Sequence, residues 1–289
     1  MNTAIPSRLS ALGHPQRLAL FRLLMRRYPD RVPAGELAEA LGLKGPTLSA
    51  YLSSLMKEGL VTQERIGTSL RYSLDMDAVR QTFDYLLLDC CRGRPEACAP
   101  VTAGGPGTAS LAAPLAAPID GEPRFRVLFL CTGNTARSVF AEALLRDLAG
   151  ERFEAHSAGT RPRSELNPHA LAVLRRNGHD VSTLRAKSVA EYQRPDAPRF
   201  DFVFTVCNQA ANEDCPAWLG QPVSAHWGLP DPVKAEGSDA EKSLAFQEAY
   251  RHLRARIEAF AALPLSTLDR IALQRAVDDI GQSHREMTT

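Results

Sequence analysis

No apolar run in this chain approaches the roughly 18 residues that a membrane-spanning helix needs, so a helical membrane anchor is excluded. The opening residues, MNTAIPSRLS, hold no apolar signal-peptide core, and the expected location is the cytoplasm, with no membrane partner. No internal repeat is visible. Net charge is scarce: 34 basic and 33 acidic residues leave +1, so bulk charge points to no particular partner. What is present is ordinary globular material, 289 residues with 44% hydrophobic and 23% charged, a natural length for two domains.

A gap in charge marks where they divide. No lysine or arginine falls between Arg94 and Arg124. Within that gap, Ala, Pro and Gly fill 16 of the 25 positions of residues 99–123. Such a stretch cannot bury a core and reads as a linker, about 25–30 Å end to end if flexible. It separates residues 1–98, with 13 basic and 10 acidic residues, from residues 124–289, with 21 of each.

Helical periodicity dominates the first part. Leu12, Leu18, Leu20, Phe21, Leu23 and Leu24 predict an apolar-faced helix following His14-Pro15. A short helix is predicted over Ala34–Leu41, stopped by Gly42. A second runs from near Gly45, with Pro46 in its first turn, to just before Gly59. Two helices joined by a short glycine-containing turn form a helix-turn-helix. In the second, Leu48, Leu52 and Leu55 share an inward face, and Thr47, Ala50, Tyr51 and Ser54 share the other. LVTQERIGTSLRYSL then alternates around Gly67-Thr68 as a β-hairpin would. Helix-turn-helix plus hairpin is a winged helix, mainly α. Its expected partner is operator DNA, touched by Lys44, Thr47, Ser49 and Tyr51 at the second helix and by Arg65 and Arg71 on the wing. Winged helices also serve as protein-interaction modules, and the residues alone leave that alternative open.

The segments ALGHPQRLALFRLL, ELAEALGLKGPTLSAYLSSLMKEGLV and the hairpin ending RYSL resemble ArsR-type winged-helix repressors over about residues 8–75. The resemblance implies a homodimer that leaves its operator on binding a metal or metalloid. Two features depart from the family pattern. Ala50-Tyr51 stands where members often carry a basic residue and His, and RVPAGELAEAL lacks the cysteines that many arsenic sensors place there.

Cysteines come later. MDAVRQTFDYLLLDCCRGRPEACAP begins as an apolar helix, with Val79, Phe83, Leu86 and Leu87 suited to dimer packing, and then carries Cys90, Cys91 and Cys98. Three thiols without a fourth ligand suit tetrahedral zinc poorly and a soft three-coordinate centre such as As(III) well. Adjacent cysteines also occur as small packing residues or as a redox pair. A similar CC…C cluster occurs in some ArsR-type arsenite sensors, and that resemblance favours arsenite as a regulatory ligand.

The second part opens on RFRVLFLCTGNTARSVFAEALLRDL. Arg124–Leu130 reads as a buried strand, and a helix is expected from about Ser138 to Leu148. Between them lies Cys131-Thr132-Gly133-Asn134-Thr135-Ala136-Arg137. A strand, tight loop and helix N-terminus aim backbone N–H groups at one concavity, the geometry of an oxyanion cradle. A thiol starting that loop is expected to have a lowered pKa and act as nucleophile. Arg137 would offer a planar fork of donors, Ser138 a hydrogen bond to the thiolate, Gly133 a tight turn and Asn134 a left-handed backbone.

This loop, with SVFAEALL, SAGTRPR (157–163), a helix starting near Asn167-Pro168 and HWGLPDP (226–232), resembles the low-molecular-weight protein tyrosine phosphatases and the arsenate reductases of the same fold, over about residues 124–262. The resemblance implies a three-layer α/β domain with a four-stranded parallel sheet, and a general acid at the Asp231-Pro232 pair. Ala136 stands where many members have a second loop cysteine. Phosphatases of the fold usually show tyrosines after the DP pair, whereas Val233-Lys234-Ala235-Glu236 follows here. FDFVFTVCNQAANEDCPAW instead supplies Cys207 and Cys215. Reducing As(V) to As(III) takes two electrons and hence a second thiol, and the arsenate reductases of this fold carry cysteines in this segment.

The combined expectation is a multidomain fusion: an arsenite-responsive repressor (1–98), a linker (99–123) and an arsenate reductase (124–289) whose relay is Cys131, Cys207 and Cys215. It needs no tightly bound cofactor, and thioredoxin or glutaredoxin would serve as external thiol reductant. The alternatives are a tyrosine phosphatase joined to a DNA-binding module, and a regulator whose second domain is a degenerate oxyanion receptor. Residues 238–262 and 266–283 read as helices; the second, with Ser266 as cap and an apolar stripe, is expected to dock rather than form a site.

Overall fold

The structure is a computed structural model that describes residues 4–90, 124–194, 196–213, 218 and 222–283. The chain divides into two compact units, the first on Met1–Ser110 and the second on most of Leu111–Thr289. Among the described residues, no helix is long and apolar enough to cross a membrane.

The first unit runs α1 (Ala4–Leu12), α2 (Pro15–Arg27), β1 (Val32–Pro33), α3 (Ala34–Leu41), α4 (Gly45–Lys57), β2 (Val61–Ile66), β3 (Ser69–Leu74) and α5 (Met76–Asp84), then a π-helical turn over Tyr85–Cys90. The helix-turn-helix lies where the pattern placed it. Gly42 ends α3 in the left-handed conformation, at φ 63°, which only glycine adopts without steric penalty. Leu48, Leu52 and Leu55 are buried under α4, each contributing roughly 1.5–3 kcal/mol of apolar burial.

Four details differ from the sequence expectation. The helix after His14-Pro15 is α2, capped by His14 as expected, but Leu12 lies in a separate helix, α1, ahead of Gly13. Leu18 points outward at 43% exposure. Val32–Pro33 add a third strand to the wing, in the order β1-β3-β2. Val79 is buried in the unit's own core rather than held for a partner, while Phe83 stays exposed. The unpredicted α1 is anchored by buried Arg8, which donates to the carbonyls of Glu58 at the end of α4 and Ala78 in α5, both at 3.1 Å.

The second unit runs β4 (Phe125–Cys131), α6 (Arg137–Ala149), β5 (Phe153–Gly159), α7 (Pro168–Arg176), β6 (Phe202–Thr205), α8 (Asn208–Asn212), β7 (Val223–His226), α9 (Asp239–Ala261) and α10 (Arg270–Gln282), with short 3-10 turns at Val189–Tyr192 and Pro232–Lys234. The four strands are all parallel, in the order β5-β4-β6-β7. β4 lies inside the sheet and is buried on both faces, which is why VLFL reads as a continuous apolar run. Val127 and Phe129 pack into the larger core with α6 and α9, and Leu128 and Leu130 into the smaller core on the opposite face. Helix α10 starts at Arg270 with Asp269 as its cap, not at Ser266. The intervening residues turn back instead, Thr267 and Leu268 donating to the carbonyl of Pro264.

Candidate active site

β4 delivers Cys131 to the carboxyl end of the sheet, and α6 begins six residues later. The intervening loop is shaped by its neighbours. The N–H groups of Thr160, Arg161, Arg163 and Asn167 take the carbonyls of Cys131, Thr132, Gly133 and Thr135 at 2.9–3.1 Å. A trans peptide's N–H points opposite its C=O, so the amides of Thr132, Gly133, Asn134 and Ala136 face away from these four donors. Asn134 N–H accordingly donates to Cys131 Sγ at 3.1 Å.

The left-handed residue of the loop is Asn134, at φ 49°; Gly133 does not adopt that conformation. The glycine that closeness demands is Gly159, at the end of β5. A Cβ there would meet Thr132 O at 2.7 Å and Asn134 N at 3.1 Å. Asn134 is fully buried, and its side chain holds the loop. Its Nδ2 donates to Ser138 Oγ and Ser157 Oγ, both at 2.8 Å, and its Oδ1 accepts the Lys187 N–H at 2.7 Å. Ser157 donates in turn to Glu142, which forms a buried ion pair with Lys187, Nζ to the carboxylate oxygens at 2.7 and 2.8 Å. Ser157, Gly159, Glu142 and Lys187 were not singled out from sequence. SAGT carried the first two, but nothing local links Glu142 to Lys187.

Ser138 Oγ lies 2.9 Å from Cys131 Sγ, the contact expected for it. The state of the thiol is not as expected. Burial pushes the Cys131 thiol up, and the neighbouring Cys207 adds to this; the Ser138 hydroxyl, Arg137 and the Asn134 N–H pull the other way and do not prevail. A loop that lowers a thiol's pKa at a wet surface is outweighed here by desolvation of the thiolate.

Arg137 is buried and holds the loop of Asp231. Its Nη1 donates to Leu229 O and its Nη2 pairs with Asp231 Oδ2, both at 2.9 Å. Asp231 Oδ1 accepts the Val233 N–H at 3.2 Å, so the DP carboxylate is engaged at both oxygens. The guanidinium of Arg137, at the start of α6, thus ties the end of the Cys131 loop to the loop of Asp231. Cys207, just past β6, is buried beside the same loop, with Thr132 Oγ1 3.4 Å from its Sγ. Cys215 lies outside the described residues.

In the first unit, Lys44, Thr47, Ser49 and Arg65 are exposed. Tyr51 is half-buried, its ring 5.1 Å from that of His14. Arg71 is also half-buried, because it sits on the central strand of the wing, opposite Pro33 on one side and Glu64 on the other. Cys90 is exposed at the end of the π-helical turn. Cys91, Cys98 and the 99–123 linker lie outside the described residues.

A parallel sheet ending in C-x5-R, with an aspartate-bearing loop paired to that arginine, defines the class of the second domain: an α/β enzyme fold built around a buried thiol at the carboxyl end of its sheet. A model of the low-molecular-weight phosphotyrosine protein phosphatases matches residues 126–272, and the chain belongs to that family. A helix-turn-helix domain model matches residues 12–64, so the chain joins the two. An arsenate reductase of Halalkalibacterium halodurans is 35% identical over 135 residues, 47% of this chain and 94% of the relative. One from Bacillus subtilis (strain 168) is 33% identical over the same shares. A solved arsenate reductase in the phosphate-binding state matches at 23% identity with a TM-score of 0.38, covering 48% of this chain and 97% of that one.

Proposed function

We propose that the second domain reduces arsenate to arsenite through Cys131, Cys207 and Cys215, and that the first is an ArsR-type homodimeric repressor released from operator DNA by arsenite. The observation that carries the enzymatic reading is the second buried thiol, Cys207, held against Thr132 of the loop that begins with Cys131. Phosphoryl transfer needs one thiol; arsenate reduction needs two. The names of the relatives, and the lack of aromatics in Val233-Lys234-Ala235-Glu236 after the DP pair, favour the same reading over a tyrosine phosphatase.

In this reading the arsenate monoanion takes its place on the loop amides and Arg137, displacing Leu229 O and Asp231 as that guanidinium's acceptors. Cys131, held as a thiol by burial, passes its proton to the bound oxyanion and attacks arsenic. Asp231, freed from Arg137 by the bound anion and entering this step protonated, gives its proton to the departing oxygen, which leaves as water. Cys207 then attacks Cys131 Sγ. The S–S bond forms, the S–As electron pair stays with arsenic, and arsenite departs carrying the Cys207 proton. Two thiols are oxidised as As(V) gains two electrons. Cys215 resolves the bridge to Cys207–Cys215, which thioredoxin or glutaredoxin reduces.

Regulation follows from the product. Arsenite binds Cys90, Cys91 and Cys98 by the preference of soft thiolates for a soft centre. Leu9, Leu18 and Phe83, exposed on α1, α2 and α5, are the apolar side chains this reading assigns to the repressor unit's contact with its twin.

The test is disulfide mapping by mass spectrometry after arsenate exposure and thiol blocking, with arsenite quantified in the same tube. Arsenite with Cys131–Cys207 and Cys207–Cys215 bridges supports the relay. No arsenite and no bridges refutes it, and turnover of phenyl phosphate would then mark a phosphatase.

A further inference from the structure

We propose that helix α10, through Arg256 and Gly281, positions the loop that carries Asp231. The inference rests on the reading of Asp231 as general acid and goes beyond it. All but the first three residues of α10 follow position 272, where the family match stops.

The acid loop leaves the edge strand β7 at His226 and runs Trp227-Gly228-Leu229-Pro230-Asp231. It is fastened at two places by two arginines. Near its end, Arg137 holds Leu229 O and Asp231. At its start, Arg256 of α9 donates from Nη1 to Trp227 O at 2.7 Å. The same guanidinium donates from Nη2 to Gly281 O, in the last turn of α10, at 3.1 Å. Arg256 is 1% exposed, so these carbonyls stand in for the water its charge has lost. A helix C-terminus, with its partial negative charge, is a favourable place for that cation.

The helix grips the loop twice more. Trp227, fully buried and stacked on Phe204 at 4.1 Å, donates its indole N–H to Val277 O at 2.8 Å. Gly281 lies so close that a Cβ there would stand 2.8 Å from His226 O and 2.9 Å from Trp227 Cδ1. Gln274 Nε2 also donates to Ser224 O in β7 at 2.7 Å. Three contacts from α10 thus converge on Ser224, His226 and Trp227, ahead of the acid, and a fourth ties the helix to Arg256, which holds the same loop. Arg256 and α10 are positioning parts, acting through Asp231.

The experiment is a single-turnover assay of the full-length protein: mix with arsenate, quench, and quantify arsenite. It needs no external reductant, because Cys131 and Cys207 supply both electrons. The variants are Gly281→Ala, Arg256→Met, Arg256→Lys, Asp231→Asn, and Gly281→Ala combined with Asp231→Asn. Alanine favours a helix more than glycine does, so a loss in Gly281→Ala comes from the contact with His226 and Trp227 and not from lower helix propensity.

The expected result for Gly281→Ala is a rate constant lower by about tenfold, part of the 10²–10⁴ that a general acid supplies. The half-saturating arsenate concentration stays within about twofold, since binding is a function of the Cys131 loop. Arg256→Met falls further, and Arg256→Lys, which keeps the charge and one donor direction, lies between it and wild type. In the Asp231→Asn background the glycine substitution costs less than about twofold, because the group it misplaces is already gone. Losses that multiply in that background, a weakened half-saturation at unchanged rate, or a wild-type rate in Gly281→Ala would each overturn the proposal. A wild-type rate in Asp231→Asn would overturn both it and the acid assignment, and no arsenite from wild type would remove the reductase reading itself.

Discussion

Replacing Lys187 with methionine strands Glu142. The ion pair lies deep, its side chains 8% and 11% exposed, with the ammonium 2.7 and 2.8 Å from the two carboxylate oxygens. Removing one member of such a pair costs about 3–5 kcal/mol, because the remaining charge is buried without its counter-ion. At roughly 2–4 °C per kcal/mol for a domain of this size, the melting point should fall by about 6–20 °C. The readout can be confined to the affected unit, since both tryptophans, Trp218 and Trp227, follow residue 124. Urea and thermal unfolding followed by tryptophan fluorescence therefore report the second domain. The double variant Glu142→Leu with Lys187→Met removes both charges and should recover at least half of the loss; Ser157, which loses its acceptor, holds back about 1–3 kcal/mol of the rest. A Lys187→Met protein within about 1 kcal/mol of wild type, or a double variant no more stable than the single, would refute the assignment of the pair as a buried, mutually dependent unit.

Arg137→Lys keeps the charge but loses the planar fork that spans Leu229 O and Asp231, and single-turnover arsenite release should drop by at least about 10²-fold. Gly159→Ala drives a methyl group into Thr132 O; it should cost about 1–3 kcal/mol of stability, read by urea unfolding, and slow single-turnover arsenite release. Because burial raises the Cys131 thiol above its ordinary value of 9.0, its alkylation rate should still be climbing beyond that pH, and Cys207→Ser should move the profile toward lower pH by removing a raising influence. The same shift has a stability consequence. The folded state keeps its proton where the unfolded state loses it, so this contribution is complete below pH 9.0 and declines as pH rises through the folded value, which urea titrations above pH 9.0 would register. In the first unit, exposed Arg65→Ala should weaken binding to duplex DNA evenly across sequences and lower the salt slope by about one, measured by fluorescence anisotropy.

By itself the amino-acid order determined what depends on near neighbours. Gly42 ends α3, Pro46 marks the first turn of α4 and Gly59 follows its end, Leu48, Leu52 and Leu55 set its buried stripe, and Cys131 with Arg137 six positions on requires only one strand, one turn and one helix start. What it left open depended on residues that chain crossings bring together. Asn134 meets Lys187 53 residues away and Ser157 23 away. Arg137 meets Leu229 92 residues away, and the same guanidinium pairs with Asp231. None of these pairs has a period or spacing to betray it, because parallel strands place them by crossover rather than by local geometry. The thiol's pKa belongs to the same category. The loop's donors are visible in the order of residues, but the burial that outweighs them exists only once α6, β5 and β6 have closed around Cys131, and desolvation is a property of that packed volume.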